Sequence, residues 1–184
     1  AFLTTAPEAI AYLERHTEVR LKPVAVYPDY YPEADGSTMR GRVLEPERFD
    51  ATALGDAFGM LRPPLPEFTL FGGMMVARED IPHFRRMFRA PASALRALRL
   101  TVAYLLQRLR WPRGTDLVLG NALVARLLKT LLDRHVPIRM GVEVVRLDRD
   151  GGRVTGVVIR DGGEHRIGAR RGVILATGGF SRDV

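Results

Sequence analysis

At 184 residues, with 46% apolar residues and a mean hydropathy of −0.04, the chain has the composition of one globular domain rather than a disordered segment. It has no cysteine, which excludes a disulfide framework and thiolate metal ligation and fits a reducing cytoplasm, the expected compartment. The formal charge of +7 is local: eight arginines and no acidic residue lie between Ile81 and Thr115, while charges elsewhere are mixed. No apolar run approaches the roughly 18 residues that span a bilayer, and the start has no signal-peptide layout.

Thr5-Ala6-Pro7-Glu8 reads as a capping box, predicting a short helix to about His16 with Ile10 and Leu13 facing inward. Val19 to Tyr27 is a strand interrupted by Pro23, hence an edge or bent strand. Residues 28–66 are rich in Pro, Gly, Asp and Glu without periodicity, which predicts a long functional loop. Phe68 to Val76 is apolar around Gly72-Gly73, a strand or turn against which something packs closely.

Ile81 to Arg89 predicts a helix, and a second follows from Ala92 to Arg110. Its Leu95, Leu98, Val102, Leu105, Leu106 and Leu109 recur at helical spacing. Leu117 to Gly120 is a short strand and turn. Asn121 then caps a helix whose apolar face is Leu123, Val124, Leu127, Leu128, Leu131 and Leu132. Val136 to Met140 is the next strand. Val142 to Leu147, Arg153 to Arg160 and His165 to Ala169 alternate as strands, joined by turns at Asp150-Gly151-Gly152 and Asp161-Gly162-Gly163. Gly172 to Ala176 is a buried-strand run of the parallel-sheet kind, closing on Thr177-Gly178-Gly179-Phe180.

That closing strand is the sharpest motif. Two adjacent glycines let main chain approach a ligand without a Cβ between, and ligands bind at the carboxyl ends of such strands. The bland alternative is a tight turn after a core strand. His16, His83, His135 and His165 show no metal-ligand spacing, and no metal site is indicated. No serine sits in a Gly-x-Ser-x-Gly elbow.

The order from Gly114 to Arg182, with Ala169-Arg170-Arg171-Gly172 running into the Val-Ile-Leu-Ala-Thr-Gly-Gly-Phe strand, resembles the FAD-binding dehydrogenases of the fumarate reductase and 3-ketosteroid dehydrogenase family. The resemblance implies that Gly120-Asn121-Ala122-Leu123 packs near the flavin. It also implies that backbone near Val144 contacts the adenine, and that Ala176, Thr177, Gly178 and Gly179 lie beside the dinucleotide. A second stretch narrows the branch. Tyr27-Pro28-Asp29-Tyr30-Tyr31, followed by Gly41-Arg42 and Leu44-Glu45-Pro46, resembles the ketosteroid dehydrogenases. There a tyrosine after the aspartate helps remove a proton from the steroid; Tyr30 matches it by position, with Tyr31 one register away. The alternative is that these tyrosines anchor the loop with their hydroxyls in water.

The implied fold is α/β: part of a Rossmann-like FAD domain with a small antiparallel meander and an inserted helical lid at residues 81–113, ahead of the sheet region at 114–184. No Gly-x-Gly-x-x-Gly occurs, and the family's substrate cap would follow Arg182-Asp183. The chain is therefore expected to be an internal piece, inactive alone, of an FAD-dependent dehydrogenase of a ring ketone. The remainder of that flavoprotein would be its partner. A fumarate or succinate-type flavoprotein is the alternative within the family, and a basic module binding membrane or RNA the rival outside it. The arginine-rich helix has two readings: it lies on an anionic membrane, or it packs its leucines on the flavin domain and solvates its arginines. The second is preferred. Nucleic-acid binding has least support, since no aromatic residues interleave with these arginines.

Overall fold

A computed structural model describes residues 2–41 and 43–178 and divides the chain into two compact units, Ala1–Pro137 and Ile138–Val184. The first unit opens with α1 (Phe2–His16). The expected cap at Thr5 lies inside this helix. Phe2 to Thr4 extend the helix backward, so Pro7 lies inside the helix rather than in its first turn. Arg15 and His16 complement the negative end of the helix dipole.

β1 (Leu21–Pro23) pairs antiparallel with β2 (Leu44–Pro46), a short two-stranded edge as the proline predicted. The segment expected as unbroken loop is more ordered than its composition suggested. Val24 N–H donates to Val43 O, Tyr27 N–H to Met39 O and Asp29 N–H to Thr38 O, so the β1–β2 ladder continues into an arch with residues 30–37 at its tip. Beyond it come β3 (Phe49–Asp50) and a run of 3-10 turns (Ala51–Met60), whose first turn is capped by the Asp50 carboxylate accepting from Thr52 N–H.

β4 (Thr69–Leu70) and β5 (Met74–Met75) form a hairpin around Gly72-Gly73, where a strand or turn was expected. Then follow a 3-10 turn (Arg78–Asp80), α2 (Ile81–Arg85) and α3 (Pro91–Arg108). β6 (Asp116–Leu117) pairs with β3 and leads into α4 (Leu119–Asp133). Val19, Phe49, Phe58, Leu117 and Ala122 supply much of the core. Fully burying a side chain the size of Leu117 contributes about 1.5–3 kcal/mol.

α3 turns its predicted apolar stripe outward, and α4 buries its own only in part. α3 buries Ser93, Ala97 and Tyr104, while all six residues of the predicted apolar stripe are exposed. α4 buries Ala122, Ala125 and Leu128 against the β2, β3 and 3-10 region, leaving Val124, Leu127 and Leu131 open. Small side chains decide the packing side, because they let helix backbone approach its neighbour closely. Asn121 is not the cap: α4 begins at Leu119, Val118 occupies the cap position, and Asn121 sits within the first turn. The strand expected at Val136–Met140 does not form.

The second unit is the meander read from the sequence: β7 (Glu143–Asp150), β8 (Arg153–Arg160) and β9 (Glu164–Gly168), all antiparallel in that order. Gly151 and Gly152, at φ 53° and 88°, make the two-residue turn that matches strand twist. Val158 and Ile159 are its buried hydrophobic residues, with Gly156 buried on the same strand. Residues 172–178 are not a strand: Ile174 is 93% and Leu175 62% exposed. A buried-strand sequence forms a strand only where neighbours complete its ladder, and every pairing among the described residues is antiparallel and elsewhere. Helices with small antiparallel sheets make the chain α/β.

Candidate functional site

Tyr30 stands at the tip of the arch with 89% of its surface exposed, and Tyr31 beside it with 72%. The backbone below them is fixed. Thr38 N–H donates to the Asp29 carboxylate at 2.9 Å, returning the bond that Asp29 N–H makes to Thr38 O at 3.0 Å. Tyr27 anchors the arch, its ring 5.1 Å from the Arg78 guanidinium, a cation–π contact. The aspartate, the tyrosine and the turn thus have separate tasks: Asp29 closes the ladder, Tyr27 ties it down, and Tyr30 presents a free phenol.

Arg78 is the first member of a charge network that sequence reading missed. Its Nε lies 3.3 Å from Glu45, and Lys22 bridges Glu45 at 3.3 Å and Glu79 at 3.4 Å. Arg48 reaches Glu79 at 3.7 Å and Asp116 at 3.0 Å, and it shares the Asp80 carboxylate with Arg96. The network joins β1, β2, the 3-10 turn and α3. Its pairs are separated by tens of residues, so no spacing rule could have found it.

Asp80 and Asp116 answer to opposite forces. Burial alone would push the Asp80 carboxyl up, but the hydrogen bonds from Arg96 and Arg48 outweigh it and hold the pKa below the usual carboxylate value. Burial pushes the Asp116 carboxyl up, with Asp50 and Asp80 adding to the effect and Arg48 opposing it. Asp116 is only half-buried; the second buried charge is Arg126, 8% exposed and paired with no carboxylate among the described residues. It donates instead to the carbonyls of Glu18, Glu47 and Arg48, the last at 2.7 Å.

The start of α4 is open. Its first N–H groups cannot be paired within the helix, and no side chain caps them. Leu119 takes φ 52°, and a Cβ built at the exposed Gly120 would meet nothing within 4 Å. Val118 and Leu119 also close one end of an apolar groove of about 530 Å³, walled by Phe68, Leu70, Ile81 and Phe84 with Arg78 at its rim. That volume is in the usual range for small-molecule sites. Gly120 and Asn121 thus sit in the uncapped first turn of α4, next in sequence to the groove-lining Val118 and Leu119.

In the second unit, Val144 lies on β7 opposite Ile159 and is 58% exposed. Gly178 takes φ 85°, with no atom of the described residues, its chain neighbours aside, within 4 Å of a Cβ placed there, and Ala176 and Thr177 precede it outside any helix or strand. Gly179 and Arg42 lie outside the described residues. Among the described residues no cluster of His, Asp or Glu could hold a metal ion, and no helix is long and apolar enough to cross a membrane.

Residues 1–184 match the family described as FAD binding domain. A 3-oxosteroid 1-dehydrogenase of Mycolicibacterium smegmatis is 34% identical over 99% of this chain and 32% of its own length. A 4-oxocyclohex-2-ene-1-carboxylate 5-dehydrogenase of Sinomonas cyclohexanicum is 35% identical over 98% of this chain and 31% of its own. The crystal structure of a 3-ketosteroid Δ1-dehydrogenase from Sterolibacterium denitrificans, in complex with 1,4-androstadiene-3,17-dione, superposes with a TM-score of 0.82 at 33% identity. It covers 97% of this chain and 33% of that one. The chain thus spans about a third of the length of the curated relatives it matches.

Proposed function

The chain belongs to the FAD binding domain family, with FAD as the cofactor, and from that premise we propose that it is the middle of the FAD domain of a dehydrogenase that desaturates a six-membered ring ketone. A 3-oxosteroid is the foremost substrate class. The relatives' names carry this reading, because steroid and oxocyclohexene carboxylate have a ring carbonyl in common. The comparisons lend no support to a fumarate or succinate-type enzyme, or to a stand-alone binding module.

The residues fit the cofactor in two places. The uncapped first turn of α4, with Gly120 and Asn121, offers backbone donors to an anionic or carbonyl edge. No side-chain atom of the described residues comes within 4 Å of a Cβ built at Gly178, so main chain from Ala176 through Gly178 can lie against a dinucleotide, with Gly179 the expected continuation. Backbone near Val144 would meet the adenine. Residues 81–113 form a helical insertion in the same domain.

Dehydrogenation beside a ring carbonyl removes a proton from the carbon next to the carbonyl and a hydride from its neighbour. When bound, the flavin supplies the hydride acceptor. Tyr30 serves the proton. A phenol, with a reference pKa of about 10, acts as base or relay only where its oxyanion is stabilised. The exposed tip of the arch leaves the Tyr30 hydroxyl free to enter a site completed by other segments of the flavoprotein, while the Asp29–Thr38 bonds keep its backbone in place. Tyr31 is the alternative at the same tip.

The test is Tyr30→Phe in the intact flavoprotein. Turnover of a 3-oxosteroid with an artificial electron acceptor should fall by about 100-fold or more, with FAD content unchanged. Unchanged turnover removes Tyr30 from the chemistry.

A further inference from the structure

Arg78 touches the root of the arch and also lines the apolar groove. It opens the 3-10 turn Arg78–Asp80, whose last residue is the buried carboxylate held by Arg48 and Arg96. The turn that carries Arg78 is thereby fastened to α3. From that base the side chain meets two partners. Its Nε lies 3.3 Å from Glu45, which sits on β2 opposite Lys22 of β1. Its guanidinium carbon stands 5.1 Å from the centre of the Tyr27 ring.

Folding stability is a poor explanation for this arrangement. Arg78 is 46% exposed, and an ion pair so open to water adds little to stability. What Arg78 does restrain is the arch. The bonds from Tyr27 N–H to Met39 O, from Asp29 N–H to Thr38 O and from Thr38 N–H to the Asp29 carboxylate join the two limbs to each other. None of these three ties a limb to the body of the unit, so the arch can pivot as one piece on its short ladder. The Tyr27–Arg78 contact opposes that pivot. Tyr30 lies three residues beyond Tyr27, at most about 10 Å away, so a pivot of roughly 6° moves it by about 1 Å. A misplacement of about 1 Å in a reacting group can cost about 100-fold in rate.

We propose that Arg78 is a positioning residue for the dehydrogenation. Acting through the Tyr27 ring, it fixes the angle at which the arch presents the Tyr30 phenol to the substrate. Arg78 takes no part in the proton or hydride transfer. The inference rests on the reading of Tyr30 above and adds the residue that aims it.

The test is steady-state turnover of a 3-oxosteroid by the intact flavoprotein, with an artificial electron acceptor. In Arg78→Ala, kcat should fall about 10-fold or more while KM stays within about twofold. FAD content and the urea midpoint should stay as in the native protein. Arg78→Lys should recover kcat to within about threefold, because its ammonium still meets both ring and carboxylate. Tyr27→Leu should slow turnover as Arg78→Ala does, and the two together should slow it no further. In a Tyr30→Phe background Arg78→Ala should cost nothing more, since the group it aims is gone.

Native kcat in Arg78→Ala or in Tyr27→Leu overturns the proposal, and if Tyr30→Phe is still slow the Tyr30 reading survives it. Native turnover in Tyr30→Phe defeats both. Effects of Arg78→Ala and Tyr30→Phe that multiply in full also overturn it, because Arg78 would then act on something else. So does a loss explained by missing FAD or by a lowered urea midpoint.

Discussion

Arg96 Nε donates to Asp80 Oδ1 at 2.8 Å, and Asp80 is only 2% exposed, so the pair fastens α3 to the turn before α2 from beneath. The second carboxylate oxygen takes the Arg48 guanidinium, which also reaches Asp116. Removing the carboxylate leaves two guanidinium groups without their shared partner. Asp80→Ala should cost about 3 kcal/mol, the low end for a broken buried pair because both arginines keep some water. The check is a lowered urea midpoint with an unchanged slope.

The same group sets an acid limit. Hydrogen bonds from Arg96 and Arg48 outweigh burial at Asp80, and its own backbone N–H with Lys22 and Arg48 lowers Glu79. A carboxyl depressed in the folded state contributes stability above its unfolded pKa, about 4, and loses it as pH falls through the folded value. Asp116, raised by burial, acts in the opposite sense: it gives up stability as pH rises above about 4. Urea midpoints measured downward from pH 4 should therefore fall in the native protein. In Asp80→Asn they should start lower and fall less steeply.

Tyr104, 4% exposed, donates its hydroxyl to Phe71 O at 2.9 Å across the turn where Phe71 takes φ 50°. Tyr104→Phe keeps the ring and leaves that carbonyl to water. The expected cost is about 1 kcal/mol, read from the urea midpoint.

In the meander, a Cβ at Gly156 would sit 2.3 Å from Ile167 O. Gly156→Ala must therefore push β8 and β9 apart, at a cost of about 1–3 kcal/mol. Amide exchange at Val158 and Ile159 should speed up, while amides of α4 remain as protected as before.

Legibility followed how local the cause was. The meander could be read because its turns are written in the chain: Asp150-Gly151-Gly152 supplies the positive φ angles, and alternation on either side sets the register. The leucine spacing in α3 and α4 gave the helices but not their orientation, which depends on where Ala97, Ala122 and Ala125 meet other segments. Thr5 and Asn121 were recognised as helix-entry residues, yet each lies inside its helix, because residues before them extend the first turn. The apolar run at 172–176 called for partner strands that no described residue provides. The network from Arg78 to Arg96 is tertiary throughout and left no local trace. Glu45 was singled out only for its motif, and Arg96 only as one of the arginine run, neither for a partner.

The corner at Gly178 bears most directly on the flavin reading, and the FAD affinity of the intact protein with Gly178→Asn measures it. Asparagine tolerates the left-handed backbone at φ 85°, and among the described residues nothing beyond its chain neighbours stands within 4 Å of the added Cβ, so folding should be spared. If main chain there lies against the dinucleotide, the Kd for FAD should rise about tenfold or more, by roughly the 1.4 kcal/mol that corresponds to a factor of ten. FAD held as tightly as in the native protein would contradict the account.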